Sequence, residues 1–192
     1  MEKRRVDNKG FSLIELIVAV IIIAIISGGS IMAFGSVFSN KITASCEALQ
    51  DGLKQARVDA LGMENKNITA NKTGIYAKFY HKDSAIYIDV CSKNSDSETE
   101  AVLHTRKICD DSHSLMFYVN YDDATAIKTI DESYNDTYGV RIYFKKSTGG
   151  VAGVEFGSSV TKEKVDCIKI MGPSGETKEV VLVKITGRSY LG

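Results

Sequence analysis

The sequence predicts an α+β fold, one long amino-terminal helix packed on a mostly antiparallel β-sheet. Three observations lead there. A 25-residue run from Leu16 to Asn40 carries no Asp, Glu, Lys or Arg. Apolar residues then recur at helical spacing to about Ala60, and the rest of the chain is a series of short Tyr-, Ile-, Val- and Phe-rich runs. One helix followed by sequential strands is the α+β pattern.

Taken in order, residues 1–10 are a basic leader, with Lys3, Arg4, Arg5 and Lys9 against Glu2 and Asp7. "LIVAVIIIAIISGGSIMAF" (16–34) follows. A hydrocarbon core about 30 Å thick needs about 20 apolar residues of helix, so residues 11–39 read as a transmembrane or assembly helix. Basic residues before it place the amino end in the cytoplasm and the remainder outside. The run lacks a good small-residue cleavage site after it, so it reads as a retained anchor rather than a secretory signal. Gly28, Gly29 and Gly35 weaken its middle, at about 1 kcal/mol each relative to Ala.

Residues 40–192 form the extracytoplasmic domain. Ile42, Cys46, Leu49, Leu53, Ala56 and Ala60 are spaced 4, 3, 4, 3, 4, one apolar stripe of an amphipathic upper half. Helix from Phe11 to about Gly62 would be on the order of 75 Å long. "MENKNITANKTG" (63–74) is a polar loop. Strands are expected at 75–80, 85–91, 114–121, 138–145, 167–171 and 179–186, with "GPSG" (172–175) turning between the last two.

Composition excludes some functions. The formal charge is zero, and without residues 1–10 the chain keeps 20 bases and 22 acids. A mildly acidic body is not one that grips nucleic acid through phosphates. His81, His104 and His113 lie in separate segments without metal-ligand spacing. "CDDSH" (109–113) and "SDSETE" (95–100) read as solvated loops rather than cation sites. No catalytic set, metal or cofactor is expected. Four cysteines permit two disulfides in an oxidising exterior. Cys91 and Cys109 flank an acidic loop and are a possible bridge, worth about 3 kcal/mol in the chain-entropy model. Cys46 and Cys167 read as small buried hydrophobes.

One residue resists this description. Glu15 places a carboxylate at the start of the apolar run, where charge is costly and usually functional. With its neighbours it forms "KGFSLIEL" (9–16), which resembles the processing site of type IV prepilins and type II secretion pseudopilins. Lys9, Gly10, Phe11 and Glu15 match in type and spacing. The resemblance implies cleavage after Gly10 by a prepilin peptidase and N-methylation of Phe11. It also implies assembly into a filament of pilin subunits, where Glu15 pairs with a neighbour's terminal amine. The domain would then move from the cell membrane to a pilus or pseudopilus at the surface. The protein would be a substrate, not an enzyme. A plain single-pass anchored binding domain that never polymerises is the alternative.

Two shorter patches narrow the likeness. "LQDGLKQARVDALGMENKN" (49–67), with Ala56, Arg57 and Ala60, and "VLVKITGRSYLG" (181–192) resemble the GspH/FimT group of minor pilins and pseudopilins. Some of that group bind DNA through Gly-Arg followed by a second Arg. Here Gly187 and Arg188 match, but Tyr190 replaces the second Arg. An acidic body also argues against DNA, so Arg188 reads as a structural residue of the last strand.

Overall fold

A computed structural model describes residues 12–62, 74–93, 99–121, 124–157, 159–161 and 164–192; the side chains of 26–39, 120–121, 124–126, 159–161 and 164 are outside that description. The leader, Gly10 and Phe11, most of the loop 63–74 and residues 94–98 therefore lie outside the described residues. The chain divides into two compact units, Met1–Phe38 and Ser39–Gly192.

Helix α1 spans Leu13–Gly62. Within the first unit, its large apolar side chains from Leu13 to Ile25 are all exposed, from 44% at Ile17 to 79% at Leu13. They occupy every face of the helix, a pattern that water does not favour. Among the described residues no helix is long and apolar enough to cross a membrane; the expected run (16–34) continues into residues whose side chains are outside the description.

In the second unit the expected stripe is the buried face of α1. Ile42, Cys46, Leu49, Leu53, Ala56 and Ala60 are each at most 2% exposed, while Lys41, Glu47, Asp51 and Lys54 face water. Among the described residues, eleven strands form two antiparallel sheets. Strands β1 (Gly74–Lys82), β2 (Ala85–Lys93), β3 (Ala101–Asp110), β6 (Val140–Phe144), β7 (Val151–Phe156) and β8 (Ser159–Thr161) make the first, in the order β3-β2-β1-β6-β7-β8. Strands β4 (Ser114–Tyr121), β5 (Ala124–Thr129), β9 (Lys164–Met171), β10 (Thr177–Leu182) and β11 (Ser189–Leu191) make the second, ordered β11-β10-β9-β4-β5. A helix packed on antiparallel sheets is the α+β arrangement the sequence predicts.

The core lies between the helix stripe and the alternate, inward residues of both sheets. Ala77, Phe79, Ile88, Val90, Ile142 and Val154 come from the first sheet, and Leu115, Phe117, Ile168, Ile170 and Val180 from the second. Phe79 and Phe117 meet edge-to-face at 5.1 Å, joining the sheets. Gly52 sets how near the helix comes, because a Cβ there would lie 2.7 Å from Ile88 Cδ1.

Three expectations change. β3 occupies a stretch read as loop, β5, β7 and β8 were not foreseen, and the run 179–186 stops at Leu182, turns, and resumes as β11. The proposed Cys91–Cys109 bridge is also corrected, since all four cysteines are free. On β2, Cys91 lies opposite Val102, but Cys109 lies opposite Ile86, five residues away. That is about 17 Å along a strand, against a limit of about 7 Å between bridged Cα atoms. An odd separation also puts the two on opposite faces of the sheet. Cys109 joins the main core, whereas Cys91 packs with Tyr76 and Tyr143.

Candidate functional site

At the amino end, the helix begins with a local cap. The Ser12 carbonyl accepts the Leu16 N–H at 3.2 Å and the Glu15 N–H at 3.0 Å. The Ser12 hydroxyl oxygen also accepts the Glu15 N–H, at 3.3 Å. Ser12 is thus the N-cap residue, and Glu15 is the third residue of the helix. "SLIE" (12–15) has the S-x-x-E spacing of a capping box, a signal in the sequence that the prediction did not use. Glu15 is the acidic residue of the first turn, where the helix dipole favours negative charge. It is exposed.

A second cluster, unforeseen from sequence, lies on the outward face of the first sheet. Strand registers align Thr105, Asp89, Lys78, Arg141 and Glu155 as one row across β3, β2, β1, β6 and β7. Lys78 is 3% exposed, Asp89 4% and Glu155 5%. Two carboxylates from outside the row close on Lys78: Nζ donates to Asp136 Oδ1 at 2.7 Å and to Glu100 Oε1. Tyr76 Oη donates to Glu100 Oε2 at 2.5 Å, and Tyr143 Oη donates to Glu155 Oε2 at 2.7 Å. Arg141 sits 3.8 Å from Glu155 and 4.0 Å from Glu100.

Protonation follows from these contacts. Burial alone would lower Lys78, but the hydrogen bonds to Asp136 and Glu100 outweigh it and hold the ammonium charged above its ordinary range. Glu100 is desolvated, yet Lys78 and Tyr76 keep its carboxyl below the usual value. Asp136 is lowered by its hydrogen bond from Lys78. Asp89 is raised, because burial exceeds the help of Thr105 and Tyr80. A charged Lys between two carboxylates is a structural clasp and a poor nucleophile.

The other singled-out residues are dispersed. His81 pairs with Asp111 at 2.5 Å, His104 lies 3.5 Å from Asp59, and His113 is buried with Nδ1 3.0 Å from the Ser112 hydroxyl. "CDDSH" is split, with Cys109 inward and Asp110 exposed and paired with Lys107. Among the described residues no three His, Cys, Asp or Glu side chains could hold a metal ion. Arg188 is exposed; its N–H is 3.4 Å from Thr186 Oγ1, and its carbonyl accepts the Val183 N–H at 2.9 Å. Gly187 before it has φ +63°, and a Cβ there would fall 1.8 Å from the Gly149 carbonyl oxygen. The Gly-Arg pair therefore has a backbone reason to exist, a tight turn into β11.

Against known families, residues 5–31 match the prokaryotic N-terminal methylation motif. The chain is type IV prepilin-like. That match takes in residues 5–10 of the leader with Phe11 and Glu15, and it stands for processed, pilin-like proteins that are in general membrane-anchored and carried to a surface pilus. No curated protein and no solved structure matches the chain.

Proposed function

We propose that this prepilin-like chain is a minor pilin or pseudopilin subunit of the GspH/FimT type, serving a pilus, secretion or DNA-uptake filament. The observation that carries the reading is the methylation motif over residues 5–31, running into a helix apolar on every face from Leu13 to Ile25. Such a helix needs lipid or other subunits around it.

The precursor inserts through residues 11–39, the lower half of the long amino-terminal helix, with residues 40–192 outside the cell membrane. A prepilin peptidase cuts after Gly10 and methylates Phe11. The chain is that enzyme's substrate and has no catalysis of its own. Its partners are the membrane, the peptidase and other pilin subunits; DNA is the less favoured partner, since Arg188 has few basic companions on an acidic body. In the filament, Glu15 faces the terminal amine of a neighbour, because an unpaired charge among Ile, Val and Leu is costly.

Intact mass of the membrane-extracted protein tests this. The expected mass is that of Phe11–Gly192 plus one methyl group. A full-length mass in cells that process their other prepilins would overturn the proposal.

A further inference from the structure

The outward face of the second sheet is apolar, where an antiparallel sheet open to water is ordinarily polar. Strand pairing sets Ile127, Tyr118, Cys167, Val181 and Tyr190 as one row across β5, β4, β9, β10 and β11. Ile127 is 54% exposed, Tyr190 49% and Val181 36%, while Tyr118 and Cys167 are half-buried. The next outward row is Thr129, Met116, Lys169 and Glu179. In the two rows the charges are Lys169 and Glu179, which pair at 3.3 Å, with Lys169 Nζ 4.7 Å from the centre of the Tyr118 ring. The first sheet is the contrast, since its outward row carries Asp89, Lys78, Arg141 and Glu155. With three outward residues on each strand, the apolar face measures about 24 Å by 19 Å, on the order of 450 Å². Exposed apolar patches of that size are often functional.

We infer that this face is a contact with a second copy of the chain, packed sheet on sheet about a two-fold axis that runs along the strands between β9 and β10. Such an axis exchanges β9 with β10 and β4 with β11. It sets Lys169 opposite Glu179 of the second copy, Cys167 opposite its Val181, and Tyr118 opposite its Tyr190. The charge pattern selects this occupant. Zero net charge over the two rows gives no pull on nucleic acid or an anionic lipid surface. The face's own image, by contrast, brings every Lys169 to a Glu179. Tyr and Met are also the residue types that interfaces favour. Two such patches bury about 900 Å², the range of weak contacts rather than stable dimers. The contact therefore suits copies held at high local concentration. It uses no residue of the methylation motif and does not depend on processing.

Cys167 supplies the readout, because it lies on the middle strand and the other three thiols are buried. With the sheets about 10 Å apart, the two Cys167 Cα atoms would be about 11 Å apart, too far for a disulfide but within reach of a short bismaleimide. The full-length chain in membranes is treated with that reagent, and products are read by intact mass and by the linked peptide. A product of two chains joined at Cys167 is expected. No product, or one joining Cys167 to a different protein, overturns the proposal. Equal yield from a Cys167→Ser/Ile185→Cys chain also overturns it, since Ile185 is 81% exposed in the turn after β10 and reports random collision. Charge reversal is the second arm. Lys169→Glu and Glu179→Lys each set like charges across the axis and should cut the Cys167 product about tenfold, whereas the two variants expressed together should restore it as a mixed dimer. A loss that mixing does not restore confines the pair to its own chain and overturns the proposal.

Discussion

Replacing Lys78 by Met removes the one ammonium shared by Glu100 and Asp136 while keeping most of the side chain's bulk. Its cost can be worked from exposure. The Lys78 side chain is 4% exposed, Glu100 24% and Asp136 63%. Asp136 can turn to water, so its share is that of a surface pair, about 0–1 kcal/mol. Glu100 is more enclosed and keeps Tyr76 at 2.5 Å and Arg141 at 4.0 Å, so it loses less than the ~3–5 kcal/mol of a fully buried broken pair. A total of about 2 kcal/mol follows, or about 4–8 °C in Tm for a domain of this size. The sign with pH is also set. Glu100 and Asp136 lie below their ordinary values, so their contribution is complete above the unfolded carboxylate range and is lost as pH falls through and below it. Lys78, being raised, loses its contribution only at pH above the ordinary lysine range. Asp89 is raised and works in the opposite direction, favouring the fold slightly as acid is added. Urea unfolding of residues 40–192 at pH 7 and across the acid limb measures all of this. Lys78→Met should lose about 2 kcal/mol at neutral pH and show a flatter acid limb, with Lys78→Met/Glu100→Gln less than additive. A loss under about 0.5 kcal/mol with an unchanged acid limb would refute the clasp.

Glu15→Leu makes the anchor more apolar, so insertion and cleavage after Gly10 should survive while recovery in sheared filaments falls; wild-type incorporation would reduce Glu15 to a helix-capping acid. Alkylation under denaturing, non-reducing conditions should label four thiols per chain, and native labelling should be slow at Cys46 and Cys109, whose thiols burial pushes up to about 11 and about 12; a Cys91–Cys109 peptide by mass spectrometry would contradict the strand register. Gly187→Ala should destabilise by at least about 1–2 kcal/mol, because its φ is +63° and its Cβ has no room, whereas Arg188→Ala should alter neither stability nor gel-shift DNA affinity appreciably. A large loss of DNA binding on Arg188→Ala would restore that partner.

Periodicity was enough to foresee the helix stripe, since Ile42 to Ala60 repeat at one helical angle and a helix shows only one face to a core. The motif around Gly10, Phe11 and Glu15 was likewise legible, because residue type and order along the chain carry it. β3 was not, for a tertiary reason. It is the edge of its sheet, with Ala101–Lys107 exposed, and register shifts opposite Ile86/Tyr87 and Val90/Cys91 break its alternation. An exposed, bulged strand lacks the period of two that marks buried ones. The Lys78 clasp was hidden for a related cause. Lys78, Asp89, Glu100, Asp136 and Glu155 are scattered through the sequence as ordinary surface charges; strand pairing across β2, β1, β6 and β7 sets Asp89, Lys78 and Glu155 in one row, and Glu100 and Asp136 close on Lys78 from outside the strands. The cysteines teach the same lesson: an acidic stretch between two strands suggested a bridge, but pairing places Cys109 opposite Ile86 and sends Cys91 to the other face. Local order therefore determined where the helix lies and which end carries the methylation motif. Register, a long-range property set by which backbones pair, decided which charges meet and which thiols never do.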